Sequence, residues 1–192
     1  MNRKISVEKR RLWINILISS ILFTSSIFMG FTSDFSAISI IEGLVELSRF
    51  LTAFPPPILA VLIFLNNFIK SLLVILLGFL IGIPPIVFLI FNGLILGAVA
   101  RYGFASIGFT GTLASILPHG IIELPSVLVA SALGLNVGWE AWIGVLGKES
   151  RVKTVVVRSL KIFFKVITPL LAVAAFIEVF ITPIIYGFIA YG

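Results

Sequence analysis

The chain has 192 residues, of which 59% are hydrophobic and 11% are charged, and its mean hydropathy is +1.21. Soluble domains are about 45–50% apolar and about 25% charged, so this composition excludes an ordinary soluble protein, and it equally excludes a disordered chain. Cysteine is absent, which excludes disulfides, thiolate metal sites and cysteine nucleophiles. The net charge of +6 comes from basic residues that flank apolar runs, a pattern typical of membrane topology rather than nucleic-acid binding. The sequence predicts one all-α membrane domain over residues 1–192.

Five apolar segments are long enough to cross a hydrocarbon core, which takes about 20 helical residues. The first follows a basic N-terminus and is expected to be a retained signal anchor, because its apolar run is long and no cleavage motif follows it. A short or re-entrant loop is expected at residues 103–111, where Gly and Ser recur, and Gly134 and Asn136 are expected to end the fourth span. The predicted spans are residues 12–31, 57–82, 86–100, 113–135 and 166–191.

The distribution of Lys and Arg predicts the orientation in the cell membrane. Residues 136–165 carry six basic side chains, so this segment and the N-terminus are expected in the cytoplasm and the C-terminus outside. Two non-spanning helices are also predicted: an interfacial helix on the outer surface at residues 35–54 and an inner basic amphipathic helix. The inner helix is expected to contact anionic lipid through four basic residues: Arg151, Arg158, Lys161 and Lys165. A stop-transfer flank with no further role would explain the same charges.

Polar side chains inside the predicted spans are the best guide to function, because each costs about a few kcal/mol in lipid unless it is paired or hydrated. With a rise of about 1.5 Å per residue, four of them lie about 14–15 Å from the outer ends of their spans and the others within about 6 Å of that depth. Four-residue spacing places Asn66 with Lys70, and His119 with Glu123, on shared helix faces. We expect a ligand-binding or proton site formed by seven residues: Asn66, Asn67, Lys70, Asn92, His119, Glu123 and Glu178.

Structural roles explain some of these residues equally well. Lys70 paired with Glu123 or Glu178 would be an interhelical bridge, and asparagines hold membrane helices together by hydrogen bonds. Gly93 and Gly97, four residues apart, also predict a close-packing face.

The segment around His119 and Glu123 favours function more strongly. Pro118 and Pro125 frame these two titratable residues. Each proline frees a backbone carbonyl, an arrangement suited to lining a buried cavity.

An enzyme is the minority hypothesis. One histidine and no cysteine leave only weak metal candidates, His119, Glu123 and Glu178, so neither a metal nor another cofactor is predicted. Ser115 lies one helical turn before His119, but no nucleophile motif accompanies it. An intramembrane metal-dependent or serine hydrolase therefore stays an alternative.

Three motifs resemble the stage II sporulation protein M family of integral membrane proteins. They are the pair Asn66-Asn67, the stretch from Asn92 to Gly97, and above all the nonapeptide LPHGIIELP at residues 117–125. The resemblance extends over roughly residues 11–192 and implies a five-span membrane protein. The sporulation member of the family acts as a membrane scaffold in a septal and engulfment complex with cell-wall hydrolases. Relatives also occur in prokaryotes that make no spores, so the resemblance does not imply a sporulation role, and a role in wall degradation would require a partner.

These observations lead to one functional hypothesis and one further alternative. The hypothesis is a membrane-complex subunit or permease-like protein with an intramembrane polar site around His119 and Glu123. The alternative is a purely structural scaffold that recruits envelope-remodelling partners. A homo-oligomer or a larger membrane complex is expected in either case, and nucleic acid is not an expected partner.

Overall fold

The computed structural model describes residues 2–33 and 49–191 together with Gly43 and Glu46, with side chains from residue 10 to residue 189. In this part of the chain every regular element is helical, and five helices are long and apolar enough to cross a membrane. The predicted all-α, five-span architecture is therefore confirmed. The predicted interfacial helix at residues 35–54 lies largely outside the described residues.

Four long helices are followed by a fifth helical run that changes geometry twice. The fourth of them, Gly108–Val145, is central, because it packs against each of the other described helices. The fifth run consists of three α-helices joined by two π-helical turns, Phe163–Ile167 and Ile177–Ile181. The helices are α1 (Asn2–Thr32), α2 (Pro56–Leu77), α3 (Ile83–Ser106), α4 (Gly108–Val145), α5 (Val152–Ile162), α6 (Thr168–Phe176) and α7 (Thr182–Tyr191).

The helices around the α3–α4 connection are longer than the sequence predicts. Helix α3 continues past residue 100 to Ser106 and α4 begins at Gly108, so a tight turn replaces the loop expected at residues 103–111. Gly108 takes the positive φ of 75° that this turn requires. Gly134 and Asn136 do not end α4, which has 38 residues and is about 57 Å long. Because a hydrocarbon core is about 30 Å thick, α4 is long enough to extend well beyond it.

Gly134 is in the interior of α4 because a neighbouring helix occupies the space of a side chain. A Cβ atom there would lie 2.5 Å from the carbonyl oxygen of Val74 and 2.7 Å from Pro85. The same residue that is read as a helix stop from sequence is therefore a contact point for α2 and α3. Packing at this close contact offsets the low helix propensity of glycine.

Both π-helical turns end directly before a Thr-Pro pair. Phe163–Ile167 precedes Pro169, and Ile177–Ile181 precedes Pro183. Proline lacks an N–H donor and its ring clashes with the carbonyl one turn earlier, and a π-helical turn is one way in which a helix accommodates this. The two prolines therefore change the helical register of the fifth span and do not break the helix.

Helices α1 and α3 pack more extensively than any other pair. Gly93 and Gly97 are buried at this contact, and a Cβ on Gly93 would lie 2.6 Å from Cβ of Ser26. On α1, Gly30 faces the backbone of Leu94. The close-packing face predicted at Gly93 and Gly97 is confirmed, since only glycine lets the two backbones approach so closely.

Candidate functional site

The middle of α4 carries the two titratable residues of the LPHGIIELP motif. Pro118 and Pro125 are inside the helix, which continues through both of them. Neither proline donates a backbone hydrogen bond, so two carbonyl groups one turn earlier lose their usual partners. His119 and Glu123 lie one turn apart on the same face between these two points.

Glu178 joins this pair from the fifth span. One ligand atom each from His119, Glu123 and Glu178 lies within 4.8 Å of the other two. Glu178 belongs to the second π-helical turn, 55 residues from Glu123 in sequence. Within the described residues, this is the group of three or more His, Asp and Glu side chains close enough to hold one metal ion.

Helix α2 contributes two further polar groups. The side-chain amide of Asn67 lies beside the Glu123 carboxylate, and the ammonium group of Lys70 is near enough to attract the same carboxylate. We call Asn67, Lys70, His119, Glu123 and Glu178 the polar cluster. It holds two carboxylates and one ammonium group, so its formal charge with a neutral imidazole is −1.

The two remaining predicted residues lie beside the polar cluster rather than in it. Asn66 is exposed, and its Nδ2 donates to Oδ1 of Asn67 over 3.3 Å, which orients the amide that reaches Glu123. Asn92 donates from Nδ2 to the carbonyl oxygen of Phe88 in its own helix over 2.8 Å. Asn66 is thus a supporting residue, and Asn92 faces His119 and Glu123 across a cavity.

This cavity has a volume of about 200 Å³ and lies between α1, α3 and α4. Its walls are mostly apolar, with Phe23 from α1 and Leu96 from α3 among them. The polar side chains that line it are Asn92, His119 and Glu123. An apolar pocket with a few convergent polar groups is the usual form of a small-ligand site, and here it opens onto one side of the polar cluster.

One ring nitrogen of His119 lacks a partner. Its Nδ1 is buried and makes no hydrogen bond to the described residues. Buried polar atoms without partners are uncommon and each one costs about 1–3 kcal/mol. Ser115 does not satisfy it, because its Oγ donates to the carbonyl oxygen of Thr112 over 2.8 Å. The geometry therefore does not pair Ser115 with His119 as a nucleophile and base.

An ion pair at one end of the helix bundle was not predicted from the sequence. The guanidinium group of Arg11 donates to Oε1 of Glu140 over 2.6 Å, and Oε2 accepts the backbone N–H of Arg151 over 3.1 Å. Arg11 also lies over the ring of Trp139, 5.7 Å from its centroid. This junction ties α1, α4 and the start of α5 together. The available signal was Glu140, one of two acidic residues in a strongly basic segment.

Comparison with known proteins places the chain in a family. The sequence profile of the family described as stage II sporulation protein M matches residues 16–183. An uncharacterized protein of Methanocaldococcus jannaschii is 32% identical over 128 residues, which cover 62% of this chain and 68% of that protein. No solved structure matches. The matched residues include the second, third and fourth spans whole, most of the first and fifth spans, and every member of the polar cluster. The chain therefore belongs to the stage II sporulation protein M family.

Proposed function

We propose that this protein is a permease-like subunit of a membrane complex, and that its polar cluster binds an ion or a small polar molecule within the bilayer. One observation carries the proposal: ligand atoms of His119, Glu123 and Glu178, from two different spans, lie within 4.8 Å of one another. Ionisable side chains inside a membrane are costly, and those that persist usually mark a substrate or ion pathway.

The surroundings of the three residues support a binding role. Asn66 donates a hydrogen bond to Asn67, and the Asn67 amide lies beside Glu123, where it can orient the carboxylate as supporting residues do in a pre-organised site. The cavity reaches two members of the cluster, His119 and Glu123, from the side of α1 and α3. A cluster that served only to hold helices together would not need a cavity next to it.

A ligand screen tests this proposal directly. The full chain is reconstituted in nanodiscs, and its thermal unfolding is followed with a panel of monovalent cations, divalent cations and small organic ions. We expect at least one ligand to raise the melting temperature of the wild type and to have little effect on Glu123→Gln. Glu149→Gln, in the exposed connection after α4, is the matched carboxylate-to-amide control. The proposal fails if every ligand shifts wild type and Glu123→Gln equally.

Helix α2 supports the assignment as a subunit of a complex. Asn66 and Lys70 are both exposed in the single chain although they lie near the middle of a 22-residue apolar helix. Polar side chains at this depth normally face protein or water, so we propose that a second copy or another membrane subunit covers this face. Crosslinking through cysteine introduced at Leu73, an exposed α2 residue, tests for a second copy. The absence of any crosslinked dimer would direct the search to other partners.

The basic residues beside the fifth span suggest a lipid partner. The four basic residues Arg151, Arg158, Lys161 and Lys165 are all exposed, and the buried residues Val155, Ser159 and Phe163 lie on the neighbouring face of the helix. We propose that this basic face binds anionic lipid headgroups, each charge contributing about 1 kcal/mol.

Lipid retention measured by native mass spectrometry tests the basic face. Replacing Lys161 and Lys165 by Gln is expected to reduce retained anionic lipid. Lys153→Gln is the control, because Lys153 is exposed on α5 but off the basic face. Equal losses in both proteins would reject a specific face.

A further inference from the structure

We propose that the polar cluster is a site for one divalent first-row transition-metal ion, of the Zn²⁺ type, held by His119, Glu123 and Glu178. This inference rests on the proposed function and names the class of ligand. From sequence, these three residues are only weak metal candidates, because one histidine and no cysteine leave few ligands. Their proximity in the folded chain changes that assessment.

The donor set selects the class of metal. Mg²⁺ and Ca²⁺ prefer oxygen ligands alone, whereas imidazole is typical of zinc, copper, iron and nickel sites. Three protein ligands from histidine and carboxylates, with a further position left open, are characteristic of reactive or exchangeable zinc sites. The cluster offers one imidazole and two carboxylates and matches this composition.

The distances are compatible with one ion after small side-chain movements. Bonds of about 2.0–2.1 Å place the ligand atoms of a tetrahedral ion about 3.4 Å apart. Here the corresponding atoms lie within 4.8 Å of one another. Glutamate has three rotatable side-chain bonds, so rotations of Glu123 and Glu178 can close the difference without moving the helices.

Three independent observations point to a cation at this place. The buried Nδ1 of His119 has no partner among the described residues, and a bound ion or its water would supply one. Two carboxyl groups meet here, and the ammonium group of Lys70 acts on Glu123 and not on Glu178, so a bound cation would separate two like groups. The cavity lined by His119 and Glu123 gives an ion a path to the site.

Lys70 is the competing charge in this arrangement. Its ammonium group attracts the Glu123 carboxylate, so a metal ion must bind against it. Removing this charge should therefore strengthen metal binding, roughly tenfold, whereas removing a ligand weakens it. A cluster that only held helices together would show no such increase, which makes Lys70→Met a discriminating variant.

The test measures metal stoichiometry and affinity in the full chain. The protein is purified through a tag without histidine, stripped with chelator, and loaded with Zn²⁺ or Co²⁺ before gel filtration and elemental analysis. Background binding is low, because the chain has one histidine and no cysteine. We expect about one Zn²⁺ per chain, and visible Co²⁺ absorption bands that reflect a nitrogen-and-oxygen ligand set.

The variants separate the possible explanations. Glu123→Gln, Glu178→Gln and His119→Asn are each expected to weaken Zn²⁺ binding about 100-fold or more, and Asn67→Ala about 10–100-fold through the orientation of Glu123. Lys70→Met should tighten binding, and Glu149→Gln should leave it unchanged. The glutamine variants keep the shape of glutamate, so they decide the question even if His119→Asn fails to fold.

Two results would overturn the metal assignment: no Zn²⁺ retained by the wild type, or Zn²⁺ retained equally by the glutamine variants. The broader proposal has a separate readout. If a monovalent cation or an organic ion stabilises the wild type but not Glu123→Gln, the binding site stands and only the metal is wrong. If no ligand depends on Glu123, both proposals fail together.

Discussion

Replacing Glu140 by leucine should destabilise the helix bundle. Glu140 lies near the C-terminal end of α4, 17 residues after Glu123 of the polar cluster. The substitution removes the Arg11 ion pair at 2.6 Å and the acceptor for the Arg151 N–H at 3.1 Å. Deleting one partner of a buried ion pair costs about 3–5 kcal/mol. The Glu140 side chain is 9% exposed but that of Arg11 is 24% exposed, so the stranded guanidinium can still contact water. We therefore expect a loss of about 2–3 kcal/mol in the free energy of unfolding.

The assay is unfolding by SDS titration from mild detergent micelles, followed by tryptophan fluorescence. Trp139 lies against Arg11 and reports on this junction. A double-mutant cycle with Arg11→Met isolates the pair, and its coupling energy should be about 1.5–3 kcal/mol. Glu149→Leu, in the exposed connection after α4, serves as the control and should change stability by less than about 0.5 kcal/mol. A loss below about 0.5 kcal/mol for Glu140→Leu would refute the reasoning and assign the contact of α1 with α4 to apolar packing alone.

Two further predictions address packing and orientation. Gly93→Ala places a methyl group 2.6 Å from Cβ of Ser26 and should lower the free energy of unfolding by about 1–3 kcal/mol, whereas Gly187→Ala, which meets nothing within 4 Å, should be close to neutral in the same SDS titration. Because the chain has no native cysteine, Lys153→Cys and Thr52→Cys can be labelled in intact cells with a membrane-impermeant maleimide. If residues 136–165 face the cytoplasm, only Thr52→Cys reacts, and labelling of Lys153→Cys instead would reverse the proposed orientation.

The number and the class of the elements follow from local sequence. A span needs only about 20 apolar residues that satisfy their own backbone hydrogen bonds. Each segment has this property regardless of the other segments. Four-residue spacing likewise places His119 beside Glu123 on one face whatever surrounds α4. The small residues Gly93 and Gly97, four residues apart, predict a close helix contact from spacing along one helix alone.

Helix ends depend on neighbours, and here local signals were misleading. Glycine commonly ends helices, yet α4 continues through Gly134 because Val74 and Pro85 fill the space beside it. The turn between α3 and α4 is similarly shorter than its glycines and serines suggest, and Phe104 in the extended part of α3 contacts the rings of Phe31 and Phe109.

The composition of the polar cluster was decided by tertiary structure. Glu178 meets Glu123 only because the fifth span returns beside α4 and its π-helical turn sets the register. Arg11 and Glu140 are 129 residues apart and show no relation in sequence. Spacing along one helix determines which side chains share a face, but only the packing of helices determines which faces meet.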